Sequence, residues 1–470
     1  MKKLVIAFFL IMGTTLIIAQ EQTSNWFFGQ NAGLSFTSGT PIVNLDGSLN
    51  TMEGTSSIST ENGVLLMYSD GNKVWNSDHI RMPNGFDLLG DPSSSQSGII
   101  VPKPNSENLY YFFTVDNVQN GPGGLNGLNY TLIDMSLDNG NGDVVDSVKN
   151  INLTSPMCEK LTAIGHFNET DLWVISQKWG TNHIYAYLVT EEGVNHTPVI
   201  SVVGQVIGGP GVDIDDAKGY MKVSPSGEFI VKANAGLHSV EIFDFNDQTG
   251  EVGNPMIIPD LSGEPYGVEF SQNEKFLYVN TWKSNSTKLL RQFNLESRNI
   301  EEIKASEYIV ATGTEGALQL APDEHIYVAM RNSESLSRIN YPNGMGADCD
   351  FEWASINLGG RMCSWGLPNF MQSFFNTLTD VEESEVTMFG IEIFPNPNKG
   401  NFNIVFNENI SNPELSILDI NGQIIHEQKF AINYSKGEKE EIKIDFPVKG
   451  IYFIKIKSEE RDYFCKLLIQ

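Results

Sequence analysis

The feature that most constrains this sequence is a short β-pattern that recurs along most of its length. A turn followed by a run of β-branched and aromatic residues occurs at 224–234, again at 271–281 and again at 321–331. A small, mixed segment stands before each such turn, and segments of this kind lie at 53–58, 95–101, 158–164, 218–223, 265–270, 315–320 and 365–370. A supersecondary unit that returns every ~40–65 residues is typical of a ring of sheets, in which each unit covers its neighbour.

The two ends of this repeat region complement each other. The seventh unit has only its first strand, 365–370, while three candidate strands at 25–29, 32–36 and 41–45 stand unassigned before the first unit. We therefore predict that strands near Trp26–Phe28 pair with the segment around Leu367–Phe370. Such closure removes exposed sheet edges. The sequence predicts an all-β fold, a seven-bladed β-propeller closed by its N- and C-terminal strands, and the count of seven disfavours the alternative of paired β-sandwiches.

Short motifs in this region add a family resemblance. The matching segments are Trp26–Gly33, Pro83–Gly85, Gln96–Ser97, Val101–Pro104 and Gly366–Phe370. They resemble the lactonase-like (YVTN-type) seven-bladed β-propellers of secreted bacterial proteins, over residues 25 to about 375. The resemblance implies a propeller and leaves the activity open, because propellers carry many unrelated functions.

The start of the chain has the pattern of an export signal. Lys2 and Lys3 precede the apolar run Leu4–Met12, and polar residues follow Ala19. This run is short for a membrane span of ~20 residues, and no later segment is apolar enough, so we do not expect an integral membrane protein. We expect a signal peptide at 1–19, the propeller at 20–375 and an acidic linker at 376–390.

The last eighty or so residues differ in character from the repeats. Short β-runs and the Asn421-Gly422 turn predict a small Ig-like β-sandwich at 391–470. The segment is similar to the type A C-terminal sorting domain of the type IX secretion system. The matching residues are Phe394, Pro395, Asn396, Pro397, Gly400, Gly422, Gly450, Tyr452 and Lys466.

This resemblance implies a route out of the cell. It implies recognition by the type IX translocon and its tag-processing machinery, and a secreted or cell-surface protein that passes the periplasm and outer membrane. The alternative is an ordinary carbohydrate-binding or adhesive sandwich, which the lack of an exposed aromatic row disfavours.

The net charge limits the kinds of binding partner that we expect, and the cysteine spacing offers one candidate disulfide. The formal net charge is -28, so the phosphates of a nucleic acid would be repelled, and we expect no nucleic-acid partner. Among the four cysteines, Cys349 and Cys363 are close enough in sequence to form a disulfide. Cys158 and Cys465 lie far from them and from each other.

The search for chemistry leads to the inner strands of the predicted ring. The sequence contains neither G-x-S-x-G nor H-E-x-x-H, and we assign no catalytic residue. Polar residues in or beside the inner strands are the candidate channel ligands: Glu53, Gln96, Glu159, Lys160, Lys218, Glu264, Glu269, Glu315 and Trp365. Convergent carboxylates could hold a divalent cation such as calcium or perform acid–base work, or they could be polar groups that satisfy one another.

Three functions are compatible with this pattern. The first, which we favour, is a cell-surface or released propeller that binds a glycan or protein ligand through one face. The second is a metal-assisted hydrolase or lactonase at the channel mouth, and the third is a structural or adhesive surface component. Clustering of Glu53, Glu159 and Glu315 around one point would favour the enzyme, whereas exposed aromatics on a rim would favour binding.

Overall fold

The computed structural model describes residues 21–121, 123–209, 213–281, 288–376 and 391–469, the last range with gaps at 397, 407–408, 419–423, 431–432, 445–449 and 459–461. The predicted signal peptide and residues 377–390 of the predicted linker lie outside the described residues. The chain divides into two compact units, Met1–Thr377 and Leu378–Gln470. In the described ranges, no helix is long and apolar enough to cross a membrane.

The first unit is built from seven antiparallel sheets that follow one another along the chain. The first three are β1 (Asn25–Phe28), β2 (Ala32–Ser35) and β3 (Ile42–Asn44); β4 (Ser56–Ser59), β5 (Leu65–Ser69) and β6 (Val74–Asn76); and β7 (Gly98–Pro102), β8 (Leu109–Val115), β9 (Leu128–Asp134), β10 (Asp143–Val144) and β11 (Ile151–Thr154). The fourth comprises β12 (Met157–Gly165), β13 (Leu172–Lys178), β14 (Thr181–Thr190), β15 (Gly193–Val194) and β16 (Val199–Ile207).

The last three sheets have four strands each. They are β17 (Met221–Val223), β18 (Phe229–Asn234), β19 (Ser239–Asn246) and β20 (Glu251–Ile258); β21 (Pro265–Phe270), β22 (Phe276–Thr281), β23 (Leu289–Asn294) and β24 (Tyr308–Thr312); and β25 (Leu318–Leu320), β26 (Ile326–Val328), β27 (Ser335–Ile339) and β28 (Phe351–Asn357). Helix α1 (Ile300–Ala305) connects β23 to β24. Single 3-10 turns lie at Glu21–Thr23, Val118–Asn120, Asp138–Gly140, Asp146–Val148, Ile214–Ala217, Gly346–Cys349 and Gln372–Phe375.

The repeated turn has a local cause. The Ser224 hydroxyl accepts a hydrogen bond from the Phe229 amide (3.1 Å), and the Ser271 hydroxyl accepts the equivalent bond from Phe276 (3.0 Å). Each serine therefore closes the tight turn between the first and second strands of its sheet. The aromatic residue that follows starts a strand whose residues are all buried, in β18 and again in β22.

The start of the chain is packed between the last sheet and the second. Trp26 is fully buried, and its ring lies 5.6 Å from that of Tyr327 in β26 and 6.0 Å from that of Phe370. On the other side, the Thr55 hydroxyl donates to the Phe27 carbonyl (2.9 Å). The three candidate strands before the first repeat thus form a sheet that contacts both neighbouring sheets, and the fold of this unit is propeller-like.

The segment after the last sheet takes a different place from the one predicted. Trp26–Phe28 pairs with Ala32–Leu34 of β2. Within the described residues, the neighbouring Gln30 forms a backbone bridge with Met362, while Trp26 meets Phe370 through its side chain only. Pro368 forms a parallel bridge with Thr55, whose carbonyl accepts the Asn369 amide (2.8 Å). The predicted pairing of Trp26–Phe28 with Leu367–Phe370 does not form, because Asn369 turns inward. Its side chain donates to the Leu161 carbonyl (2.8 Å) of β12.

The second unit contains two antiparallel sheets. Their strands are β29 (Ile391–Phe394), β30 (Asn401–Phe406) and β33 (Lys439–Lys443), and β31 (Glu414–Leu418), β32 (Ile424–Lys429), β34 (Gly450–Lys457) and β35 (Asp462–Ile469). Side chains from both sheets, such as Ile404 and Ile454, belong to one hydrophobic cluster. That cluster contains only residues of this unit, which therefore has its own core.

Truncation tests whether the first unit needs the second. A variant that ends at Phe375 should unfold at the same temperature as the corresponding transition of the full chain, because the clusters of the first unit contain no residue beyond Phe375. Calorimetry of the two proteins measures this. A large drop in the melting temperature of the shortened protein would contradict the division.

Substitution of Trp26 tests the contact between the start of the chain and the last sheet. Trp26→Ala should lower the free energy of unfolding by about 3–5 kcal/mol, the usual cost of removing a fully buried aromatic side chain. Trp353→Ala is the matched control, because Trp353 is 49% exposed. Denaturant unfolding of both variants measures the difference, and equal effects would contradict the packing of Trp26.

Candidate functional site

Two carboxylates from different sheets are buried near each other at the inner ends of the strands. Glu53 precedes β4 and is 3% exposed, while Glu159 lies in β12 and is 0% exposed. The Glu53 amide donates to the Pro92 carbonyl (3.0 Å), and Glu159 is placed by β12, which pairs with β13. The two groups are close enough that the negative charge of Glu159 raises the pKa of Glu53.

The Glu53 carboxyl group accepts hydrogen bonds from two hydroxyl groups. The Tyr266 hydroxyl donates to its Oε2 (2.7 Å), and the Ser93 hydroxyl donates to its Oε1 (3.3 Å). Burial, followed by the charge of Glu159, raises the pKa of Glu53 to about 8. Glu53 therefore carries a proton over much of the neutral range.

Glu159 is held more tightly by the backbone. Its Oε2 accepts the amide (2.8 Å) and hydroxyl (2.9 Å) of Ser95, and its Oε1 accepts the Val118 amide (3.0 Å). Burial raises the pKa of Glu159, and these donors partly oppose the rise. Both oxygens of this carboxylate are thus already bonded within the protein.

The two lysines of the cluster have different roles. Lys160 donates to the carbonyls of Lys218 (2.8 Å), Gly219 (3.1 Å) and Ala233, and burial lowers the pKa of Lys160 to about 7. Lys218 forms an ion pair with Asp215 (2.5 Å). The charge of Lys218 also opposes the rise in the pKa of both Glu53 and Glu159, so it offsets their mutual repulsion more directly than Lys160 does.

Other predicted channel residues have separate partners. Gln96 bridges strands, because its Oε1 accepts the amides of Leu161 (3.1 Å) and Met221 (2.7 Å). Glu269 is fully buried, pairs with Lys222 and accepts the Leu320 amide (2.8 Å).

Three more lie toward the solvent. Glu264 is only partly buried. The ion-pair partner of Glu315 is Lys288 (2.7 Å), and Glu315 is not a member of the Glu53–Glu159 pair. The Trp365 ring lies 4.0 Å beneath the Arg331 guanidinium.

Sequence reasoning missed several members of this interior. Tyr266, Ser95 and Asn369 join groups that lie far apart in the chain, so no local spacing could reveal them. A second fully buried ion pair, Lys232–Glu241 (2.9 Å), spans the neighbouring strands β18 and β19. The sequence does carry a signal for this pair, because each charged residue stands between two apolar neighbours in its strand.

The divalent cation stays a prediction. Among the described residues, no group of three or more His, Cys, Asp or Glu side chains is arranged to hold a metal ion. Glu53 and Glu159 are two carboxylates whose oxygens accept protein donors. A cation would have to displace those donors to bind there.

The predicted disulfide is wrong. Cys349 and Cys363 are separate free thiols, both buried, as is Cys158. The Cys363 thiol donates to the Ser364 carbonyl (3.2 Å), whereas Cys349 ends the 3-10 turn Gly346–Cys349. The loop between them contains the whole of β28, which carries the two cysteines to different places.

A groove with exposed aromatic side chains lies between the sixth and seventh sheets. This rim groove, of about 520 Å³, is lined by β24, by Gly346, Ala347 and Cys349, and by Asp350, Phe351 and Trp353. Tyr308 is 39% exposed and Trp353 is 49% exposed. The Phe351 ring meets the Trp353 ring edge-on at 5.1 Å, which fixes the indole in place.

A second groove between the fourth and fifth sheets is polar. It measures about 700 Å³ and is lined mainly by β16 and β20. Its charged side chains bind one another: Arg298 pairs with Glu228 (2.6 Å), and Asn254 donates to Asp244 (2.7 Å). No exposed aromatic ring lines it among the described residues.

The predicted sorting residues lie in the second unit, and two of them, Pro397 and Gly422, lie outside the described residues. Phe394 ends β29 with 67% of its surface exposed, and Pro395 and Asn396 follow it. Gly400 has a φ of 97°, which favours glycine, and its amide donates to Asn398 (2.7 Å). Gly450 begins β34, Tyr452 is buried in it, and Lys466 lies in β35.

The two carboxylates should respond differently to amidation. Glu53→Gln imitates the protonated acid and should be tolerated, whereas Glu159→Gln places an amide N–H against the Ser95 and Val118 donors and should cost about 2–3 kcal/mol. Because the pKa of Glu53 is raised from 4.5 to about 8, the folded state holds this proton more tightly than the unfolded state. The stability that it contributes is full below about pH 4.5 and is lost as the pH rises toward 8.

Thermal unfolding between pH 5 and pH 8 measures this effect. The parent protein should lose stability over that range, and Glu53→Gln should flatten the loss by about 1–3 kcal/mol. An identical pH dependence in the parent and in Glu53→Gln would contradict the proton on Glu53.

Comparison with known proteins identifies the second unit. Residues 392–470 match the family model of the secretion system C-terminal sorting domain. No curated protein matches the chain.

Solved structures similar to this chain include three bacterial proteins. A putative 6-phosphogluconolactonase from Bacteroides uniformis is 10% identical and covers 67% of this chain and 92% of its own, with a TM-score of 0.41. The periplasmic gluconolactonase of Pseudomonas aeruginosa is 11% identical and covers 89% and 98%, with a TM-score of 0.37.

The third is PorZ of Porphyromonas gingivalis, a surface component of the type IX secretion system. It is 11% identical and covers 96% of this chain and 59% of its own, with a TM-score of 0.36. The family match, rather than these distant likenesses, decides the assignment: the chain carries the C-terminal sorting domain of the type IX secretion system, which marks proteins that are secreted or anchored at the cell surface.

Proposed function

We propose that this chain is an exported binding protein, delivered by the type IX secretion system, that recognises a glycan or protein ligand through the rim groove. The proposal is supported by one contrast. The buried carboxylates Glu53 and Glu159 are hydrogen-bonded to protein donors, whereas aromatic side chains of the rim groove are exposed. The sorting domain supports the delivery.

The proposal includes the ring itself. We take the seven sheets as seven blades, closed where β1–β3 lies between the last sheet and the second. Support comes from Trp26 against Tyr327 on one side and Thr55 bonded to Phe27 on the other. A closed ring is rigid, and a rigid scaffold suits recognition because little order has to be imposed on binding.

The interior does not favour chemistry at the axis. Glu53 and Glu159 are buried and bonded to Tyr266, Ser93, Ser95 and Val118. A general base or a metal ligand has to reach the substrate or the ion, and these oxygens face protein donors instead. A hydrolase or lactonase at the channel mouth is therefore the weaker alternative, as is a structural role without a ligand.

The rim groove has what a binding site needs. Tyr308 and Trp353 are large, partly exposed aromatic side chains on β24 and β28. Such side chains provide contact area at low entropic cost. Groove-lining residues that are exposed and apolar, in a protein of net charge -28, mark an interaction surface rather than a general solubilising one.

Binding assays on the purified full chain test the proposal. The parent is screened against an array of extracellular glycans and of peptides, and the hits are titrated against Trp353→Ala, Tyr308→Ala and Glu53→Gln. The two groove variants should weaken binding at least roughly tenfold, as truncation of an aromatic anchor usually does, while Glu53→Gln should bind normally.

The opposite pattern would support the enzyme. Hydrolysis of gluconolactone by the parent that is lost in Glu53→Gln, together with ligand binding that is unaffected in the groove variants, would contradict the proposal.

A further inference from the structure

We infer that the rim groove binds an extended segment of a partner protein and receives a lysine side chain between its aromatic faces and the Asp350 carboxylate. This inference rests on the proposed function and names the chemistry of its ligand. It is argued from the aromatic geometry, the charge around the groove and the position of its two bordering strands.

The aromatic faces are fixed and available. Besides its edge-on contact with Phe351, the Trp353 indole reaches the end of β24, where a Cβ on Gly313 would lie 3.7 Å from its Cη2 atom. The Tyr308 ring lies against Gly346, where a Cβ would be 3.7 Å away. Both rings thus hold defined positions while a large part of each stays exposed, and an ammonium group is attracted to such faces.

The charge beside these rings is negative and unneutralised. Asp350 lines the groove and is exposed, and the structure shows no ion pair for it in the part of the chain that it describes. The Asn340 amide donates to Oδ2 of Asp350 (2.9 Å) and orients that carboxylate. An acidic group that lines the same groove as two aromatic faces suits a cationic ligand and not a neutral or an anionic one.

Two other nearby carboxylates already have ion-pair partners. Glu307 pairs with Arg291 (2.7 Å), and Glu352 pairs with Arg338 (3.0 Å). In the polar groove between the fourth and fifth sheets, Arg298 is a lining residue and pairs with Glu228. The rim groove is therefore the one of these two grooves that lacks an internal cation.

The bordering strands point to a polypeptide rather than to a free amine. β24 and β28 are each the last strand in the order of their sheet. An edge strand presents backbone donors and acceptors on its outer side, and an extended peptide can pair with them. A lysine carried on such a segment would combine backbone pairing with the charged contact, because its aliphatic stem can lie along Ile309 and Ala311.

Three probes test the inference by saturation-transfer NMR on the full chain. They are the blocked tripeptide acetyl-Val-Lys-Val-amide, the same peptide with neutral norleucine in place of lysine, and the neutral glycan cellotetraose. The lysine peptide should bind, and the norleucine peptide should bind at least roughly fivefold more weakly, the usual effect of one cation–π contact with charge support. Raising the salt concentration should narrow that difference.

Two variants locate the contact. Trp353→Phe keeps an aromatic ring of weaker cation affinity, and Asp350→Asn removes one charge without changing the size of the side chain. Each should weaken the lysine peptide roughly threefold or more and leave the norleucine peptide unchanged. Asp138→Asn, on an exposed turn of the third sheet, is the matched control and should change neither.

The outcomes distinguish a failure of the lysine inference from a failure of the proposed binding function. Equal binding of the two peptides, preferential binding of cellotetraose, or no binding of the lysine peptide would each overturn the lysine inference. If the array ligands still depend on Trp353 and Tyr308 in that case, the proposed binding function stands without it. Loss of that dependence would overturn both.

Discussion

The structure depends on the requirement that polar groups inside a ring of sheets find partners. The inner strands of all-β rings approach one another closely, and a buried donor or acceptor without a partner costs about 1–3 kcal/mol. Here Gln96 bonds the backbone of the fourth and fifth sheets, and Asn369 also bonds the backbone of the fourth. These few side chains connect sheets that share no ladder, so the same bonds that satisfy the interior also fix the sheets relative to one another.

This requirement also determines where function can lie. A carboxylate that is bonded to protein donors, as Glu159 is to Ser95 and Val118, serves the fold and is not free for a substrate. Of the acidic residues that drew attention in the sequence, Glu53, Glu159 and Glu269 are buried and bonded to protein donors. The groups that remain available are on the rim, where Trp353 and Tyr308 expose apolar surface that folding has not covered.

The fold was more predictable from the sequence than the site. Repeated turns such as Ser224–Phe229 are local, so six of the seven predicted inner segments and the three N-terminal strands could be placed without the structure. The partner of Glu53 is Tyr266, which lies 213 residues away, and Gln96 meets Asn369 across 273 residues. Contacts of this range depend on how the sheets are arranged, and no spacing along one chain encodes them. The disulfide failed for a related reason, since closeness in sequence does not fix closeness in space across an intervening strand.

Chemical accessibility tests the central claim, a sealed interior with recognition at the rim, most directly. Carboxyl groups of the native protein can be labelled with a carbodiimide and a neutral amine, and mass spectrometry then gives the rate at each residue. We predict rapid labelling of Asp350, slower labelling of the ion-paired Glu315, and no labelling of Glu53 or Glu159 until the protein unfolds. Labelling of Glu53 at the rate of Asp350 in the folded protein would show an open axis and would contradict the account.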